Sequence, residues 1–435
     1  MKRGLALGGG GSLGSYQIGV WQAMRELGIG FDLVTGTSIG ALNGAFFATQ
    51  KYDLARDLWE SINVDKVIKN GVNLDPDDLK EAFKKNRSLL NKFALSYIKH
   101  GGADISPFIK LLEKYVPVDD IKTSPIKFGV FACSLPTFGI KRMVMQEVPK
   151  EDIIHWLLAS SAVWPVFPIH KFHNRYYIDG GYRDNVPIDF AFRLGADEVI
   201  AMDLWYNIQL HPAQINKPNV TYISPSWDLG MMFVFKKKVI EQNMRLGYND
   251  AMKAFHMKRG FRYTFHVADE TPEPAELFVA LLKCDYPKIW KKILAQLEKH
   301  TGGIVTPQNM YLRAVEILAE TLNVDHLPIY NLNGLAEYCF DGLNEPISRE
   351  DIIHLMRKVH RKQPFTRNEE RLALCALKNA IISREHIEDI NQLPNPNPKM
   401  AILFTLLALT HERLGDNHVC GDTICLVKRK KYSEK

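Results

Sequence analysis

The sequence predicts an α/β fold with a mainly parallel central sheet, followed by a mostly α-helical C-terminal domain. Three observations carry this expectation. Two glycine-framed turns, Gly8 to Gly14 and Gly36 to Gly40, each follow an apolar strand-like run and precede a helix-like one. Strand-like and helix-like runs then alternate as far as Phe255, and helix-like runs dominate from Arg262 onward. A β-loop-α-β-loop-α start implies parallel strands with helices packed on them. With 435 residues the chain exceeds the usual single-domain size, and the expected domains are 1–261 and 262–435.

Taken in order, Gly4 to Leu7 reads as a buried first strand. Ser15 to Leu27 carries Ile18, Val20, Trp21, Met24 and Leu27 at helical spacing, and Gly28 and Gly30 end that helix. Phe31 to Thr35 is the second strand, and Ile39 to Thr49 a buried helix. Between Lys51 and Asp120 only helices are expected, at 53–61, 77–84, 89–99 and 106–115; they either cover a site or pack on a sheet face. Strands are expected at 126–132, 140–145, 175–178, 198–202 and 220–224. Helices are expected at 150–159 and 187–194, and the amphipathic run from Leu229 to Phe255 closes the first domain. Further helices are expected at 274–283, 288–299, 308–322, 349–360, 367–382 and 400–413. Thr366 with Glu369 and Ser348 with Asp351 fit capping boxes. Asn391 to Lys399 reads as a loop and Lys428 to Lys431 opens a basic tail.

Hydrophobic residues make up 46% and charged residues 24%, the balance of an ordinary soluble protein. A net charge of +6 suits anionic surfaces such as phospholipid headgroups, and equally a plain solvated surface. The six cysteines form no C-x-x-C pair, which fits free thiols in a reducing compartment. His411, His418, Cys420 and Cys425 match no familiar zinc spacing, so no metal is expected. Lys2 and Arg3 precede only a short apolar run, unlike a signal peptide. The run from Met400 to Thr410 is too short to span a bilayer. These readings point to a cytoplasmic protein with at most peripheral membrane contact and no nucleic-acid partner.

The chemistry gathers at the glycine turns. Gly8-Gly9-Gly10-Gly11-Ser12-Leu13-Gly14 opens a helix and offers bare N–H groups to an anion. Gly36-Thr37-Ser38-Ile39-Gly40 is a Gly-x-Ser-x-Gly turn, which exposes one hydroxyl on a tight strand-to-helix corner. Gly9, Gly11 and Gly14 also fit a dinucleotide fingerprint, but that motif wants an acid at the end of the second strand, and Asp32 stands at its start. Only one strand precedes the Ser38 strand, which argues against the usual α/β-hydrolase order of Ser, Asp and His. His155, His170, His173 and His211 sit in no glycine-supported turn and read as structural. Asp179 ends a strand and is followed by Gly180 and Gly181; alone, this is a plain turn.

In combination these residues resemble the patatin-like phospholipase family. Gly9 to Gly14 is similar to its oxyanion loop, Gly36 to Gly40 to its elbow, and Asp179-Gly180-Gly181 to its third block. The stretch from Ala159 to Pro165 is similar to an element that precedes the aspartate in that family. The resemblance covers roughly Met1 to Phe255. It implies a three-layer domain and a serine lipid acyl hydrolase that works through a Ser-Asp dyad. Ser38 would be the nucleophile and Asp179 the general base. Gly9, Gly10 and Gly11 would form the oxyanion hole, and Gly14, Gly36, Gly40, Gly180 and Gly181 would support the motifs. The substrate would be a lipid or fatty-acyl ester, with no metal or cofactor. One departure is Leu13, where the family usually carries Arg or Lys. The rivals are a silent scaffold whose helical domain binds a partner, and a dinucleotide-binding oxidoreductase.

Overall fold

Leu5, Ala6 and Leu7 expose no surface, which places the first strand at the centre of a sheet. The computed structural model describes residues 1–69, 101–206, 212–267, 272–298, 306–361, 363–383 and 398–415. It divides into two units, Met1–His256 and Met257–Lys435. The expected helices at 77–84 and 89–99 lie outside the described residues, as do His211, His418, Cys420, Cys425 and the basic tail.

The strands of the first unit are β1 (Arg3–Leu7), β2 (Leu33–Thr37), β3 (Lys127–Leu135), β4 (Gly139–Val144), β5 (His170–Phe172), β6 (Arg175–Asp179), β7 (Glu198–Met202) and β8 (Val220–Ile223). The order β3-β2-β1-β7-β8 is parallel throughout, and β4, β5 and β6 add antiparallel strands beyond β3. The sheet is therefore mostly parallel, as the alternating pattern requires. Leu7 pairs with Gly36, so the glycine loop after β1 and the elbow after β2 leave the sheet side by side. Thr37 pairs with Phe131 and Ala132 pairs with Asp179. Strand β4 takes the other edge of β3 over the same residues, so β2 and β6 follow one another along one edge, and the ends that carry Ser38 and Asp179 meet there.

Helices cover both faces. Helix α1 (Ser15–Glu26) and α2 (Ile39–Ala48) follow the two glycine turns, and α3 (Tyr52–Ser61), α4 (Ser106–Tyr115), α5 (Val118–Thr123) and α6 (Ile153–Ser160) come next. Then come α7 (Ile188–Arg193), the single turn α8 (Pro212–Ile215) and α9 (Lys237–Ala254). Ala6, Leu33, Val199 and Ala201 meet Ile188 and Ala191 of α7 on one face. Gly44 of α2 lies over Val34 and Phe128 on the other, as strand alternation demands.

Several expectations need correction. Strand β3 runs three residues past its expected end at 132, to Leu135, and of the expected loop at 391–399 the described residues Pro398 and Lys399 are helical. Strand β2 runs two residues past Thr35, because Gly36 and Thr37 keep their ladder partners on both sides. The amphipathic run from Leu229 is helical only from Lys237. Gly230 takes a left-handed φ of 95°, and the Met231 and Met232 carbonyls accept from the Ser12 hydroxyl (3.0 Å) and N–H (2.7 Å). That backbone is committed to the glycine loop and cannot join a helix.

In the second unit the helices are α10 (Pro272–Asp285), α11 (Trp290–Glu298), α12 (Pro307–Thr321), α13 (Leu332–Asp341), α14 (Arg349–His360), α15 (Arg367–Ser383) and α16 (Pro398–Gly415). Helix α13 escaped the sequence reading, as did a parallel pair of two-residue strands, Thr264–Phe265 and Ile329–Tyr330. Both capping boxes form. Thr366 N–H donates to Glu369 at 2.6 Å, and Ser348 N–H donates to Asp351 at 3.0 Å. Helix α12 is buried along most of its length, and its Glu316 carboxylate receives the N–H groups of Phe261, Arg262 and Tyr263 at 2.7–3.0 Å.

Candidate active site

The elbow is shaped by what cannot fit. A Cβ on Gly36 would overlap the Gly40 carbonyl, and one on Gly40 would overlap the Leu7 carbonyl. Strand and helix therefore meet backbone to backbone, and Ser38 between them is forced to φ 55°, ψ −126°. A serine tolerates that region only where its surroundings impose it. The Ser38 N–H donates to the Ser160 hydroxyl (2.8 Å), which in turn donates to the Phe131 carbonyl (2.7 Å). The Asp179 N–H donates to the Ala162 carbonyl at 3.0 Å. The stretch from Ala159 to Pro165 thereby braces both residues.

Asp179 is buried, and the Gly181 N–H donates to its Oδ1 at 2.7 Å. Loss of solvent raises its pKa to about 6, while the Ser38 hydroxyl and the Gly181 N–H pull in the other direction. The carboxyl group is therefore poised to exchange a proton near neutral pH, and the hydroxyl beside it is that of Ser38.

The glycine loop closes over the same point. A Cβ on Gly9 would stand 2.9 Å from the Ser38 Cβ and 2.8 Å from the Asn185 Oδ1. The Gly9 N–H donates to the Asn185 carbonyl at 3.2 Å, and the Asn185 amide returns a bond to the Gly9 carbonyl at 3.1 Å. This modifies the oxyanion expectation. Gly9 is committed to Asn185, whereas among the described residues no backbone acceptor takes the Gly10 or Gly11 N–H. A buried amide chain fixes both ends of the loop. Gln17 donates to the Gly8 carbonyl (2.9 Å), and Asn43 to the Gly14 carbonyl (2.9 Å) and to Gln17 (2.8 Å). Trp59 completes the chain by donating to Asn43 at 2.9 Å.

Gly9, Gly10, Gly11, Ser38, Asp179 and Gly181 all line one cavity of about 450 Å³. Gly14, Gly36, Gly40 and Gly180 stand behind it and allow the close packing. The rest of the wall is mostly apolar, including Leu42, Phe46, Leu112, Phe167, Met232 and Phe233. Among the described residues no lysine, arginine or histidine lines it. Leu13 is buried away from the cavity wall. His155 and His170 contact each other at 3.2 Å beside Phe172, and His173 contacts Asp152 at 2.9 Å. Burial and His155 push His170 down to about 4. Asp32 accepts the Arg3 N–H at 2.7 Å, at the opposite end of β1 from the glycine loop, where no ribose held by that loop could reach it.

Sequence reasoning missed Asn185, Gln17 and Asn43. Nothing in their spacing marks them: Asn43 and Asn185 act across long sequence separations, and Gln17 reaches back nine residues, over the glycine loop, to Gly8. Ser160 lay within a stretch already singled out, but its role as a bridge was not legible.

The family model described as Patatin-like phospholipase matches residues 5–192. Lysophospholipase nte1 of Aspergillus terreus is 58% identical over 45 residues, 10% of this chain and 3% of that protein. Patatin-like phospholipase domain-containing protein 7 of Mus musculus is 27% identical over 203 residues, 46% of this chain and 13% of that protein. The chain thus spans 13% or less of the length of these two relatives. The crystal structure of VipD from Legionella pneumophila is similar with a TM-score of 0.38 and 14% identity, over 94% of this chain and 91% of that one.

Proposed function

We propose, on the premise that residues 5–192 form a patatin-like phospholipase domain, that this protein is a serine lipid acyl hydrolase acting through Ser38 and Asp179. One observation carries the reading: the buried Asp179 carboxyl, with its pKa raised to about 6, has the strained Ser38 hydroxyl as its partner in an apolar cavity. An ordinary carboxylate is too weak a base for a serine, and a raised pKa narrows that gap.

Ser38 Oγ attacks the ester carbonyl carbon while its proton passes to Asp179. The carbonyl oxygen becomes an oxyanion before the Gly10 and Gly11 N–H groups, each such donor being worth about 3 kcal/mol. The intermediate collapses, the C–O bond to the alcohol breaks, and Asp179 returns its proton to the departing alkoxide. Water then attacks the acyl-Ser38 ester, giving its proton to Asp179. Collapse returns that proton to Ser38 and frees the fatty acid. The apolar wall suits the acyl chain, and the absence of a basic residue at Leu13 and in the described wall favours an ester without a phosphate beside the scissile bond.

A fluorophosphonate probe tests this. The expected result is labelling of Ser38, located by mass spectrometry, that falls in Ser38→Ala and in Asp179→Asn. Folded wild-type protein that neither labels nor cleaves a lysophospholipid would overturn the assignment.

A further inference from the structure

Four large apolar side chains of the first unit are exposed besides Met1: Phe138 (43%), Ile140 (39%), Tyr176 (49%) and Tyr182 (46%), among the described residues. They come from two separate stretches, 138–140 and 176–182, yet lie on one corner of the sheet. Phe138 is in the β3–β4 turn, Ile140 begins β4, and Tyr176 on β6 pairs with Leu135 near the end of β3. The rings of Phe138 and Tyr182 approach edge to face, with centroids 6.4 Å apart. Tyr182 also lines the Ser38 cavity, so this corner continues to the cavity rim. Apolar groups gathered in this way mark a contact surface, whereas singly scattered ones do not.

The charge on the exposed side chains around them is basic, and the two acids that bracket Tyr182, Asp179 and Asp184, are buried and half-buried. Residues 134–144, 169–178 and 180–183 contain no Asp or Glu but carry Lys141, Arg142, Lys171, Arg175 and Arg183. Lys171, Arg175 and Arg183 are exposed, and the Lys171 ammonium lies 5.5 Å from the centre of the Tyr176 ring. Asp152, which reaches this corner from a neighbouring element, pairs with His173. Aromatic rings interleaved with cations suit the headgroup layer of an anionic bilayer, where rings enter the interface and ammonium and guanidinium groups meet lipid phosphates.

We propose that the Phe138–Ile140–Tyr176–Tyr182 corner, with Lys171, Arg175 and Arg183, docks on an anionic phospholipid bilayer and holds the mouth of the Ser38 cavity against it. The choice of a lipid surface over a protein partner rests on the acyl hydrolase reading. The docking itself is measured without turnover, so the two fail separately.

The test is co-sedimentation of the full chain carrying Ser38→Ala with phosphatidylcholine vesicles, with and without an equal part of phosphatidylglycerol. Strong binding is expected only with phosphatidylglycerol. Lys171→Gln with Arg175→Gln should weaken it about twenty-fold. Phe138→Ser with Tyr176→Ser should weaken it about ten-fold. Lys217→Gln, next to β8 at the far edge of the sheet, should leave it unchanged. In the Ser38 background both pairs should keep the hydrolysis of a soluble short-chain ester, which reports the fold. No binding to phosphatidylglycerol vesicles, or equal binding by both pairs and the parent, would overturn the proposal; the first result would turn the corner towards a protein partner.

Discussion

In the first unit the buried Asp179 carboxylate has one backbone N–H and a serine hydroxyl for company, and no cation in contact. In the second, the buried Glu316 carboxylate receives three backbone N–H groups and the Arg313 guanidinium, 2.9 Å away. Left-handed non-glycine residues occur in both units, at Gln50, Phe138, His173, Asn174 and His256 as well as Ser38 in the first, but their settings differ. Ser38 sits at φ 55° in the middle of a strand-to-helix turn, while Asn323 reaches φ 56° just past the end of α12, where a left-handed asparagine is a routine helix stop. One unit leaves a charge undercompensated and a serine strained at a single cavity. The other pairs its buried Glu316 carboxylate with a buried cation, Arg313. At Ser38 the departure falls on the candidate nucleophile itself, where such strain has a use.

That contrast can be broken by experiment. Ser38→Ala should lower ester hydrolysis by about 10⁴-fold or more with little change in melting temperature; retained activity in the steady state would remove the first unit's claim to the chemistry. Asp179→Asn should lower it by about 10³-fold. Glu316→Gln should cost the second unit about 3–5 kcal/mol in denaturant unfolding, since it weakens a buried pair, and leave probe labelling of Ser38 intact. Equal loss of labelling would show that the two buried acids serve one purpose.

The pH dependence sharpens the comparison further. Asp179 titrates near 3.8 when unfolded and near 6 when folded. Between those values the folded protein holds a proton that the unfolded chain has released. Stability should therefore fall as pH rises through this window, by roughly 3 kcal/mol in all. Over its upper part, ester hydrolysis under kcat/KM conditions should rise as the base ionises. In Asp179→Asn both trends should flatten, which chemical denaturation across pH 4–8 would reveal. The smallest effect belongs to the strain itself. Ser38→Gly removes a Cβ from a left-handed position and should stabilise the protein by about 1 kcal/mol while abolishing activity. An unchanged melting temperature would mean the elbow stores no strain.

Much of this was legible along the chain, because the features concerned are local. The glycine turns, Ser38 at its corner, the Asp179 turn and both capping boxes each depend on residues within a few positions of one another. Apolar periodicity likewise marked α1, α2 and β7 to within two residues. Helix α13 was missed, as were the two-residue strands at Thr264 and Ile329, the latter being too short to show a period.

Only the tertiary structure decided the rest. The Asp179 carboxyl is pushed up to about 6 because folding removes it from water, and no sequence neighbour encodes that. Ser38 and Asp179 lie 141 positions apart and meet because β2 and β6 pair with successive stretches of one edge of β3, 127–131 and 132–135. Asn185 takes the Gly9 N–H from the expected oxyanion set, and Gln17 and Asn43 set the ends of the loop, through contacts that close only in three dimensions. Sequence by itself determined which groups are able to react and which turns present them. Burial, register and long-range hydrogen bonds determined which of those groups face one another, because desolvation and distance are properties of the folded whole.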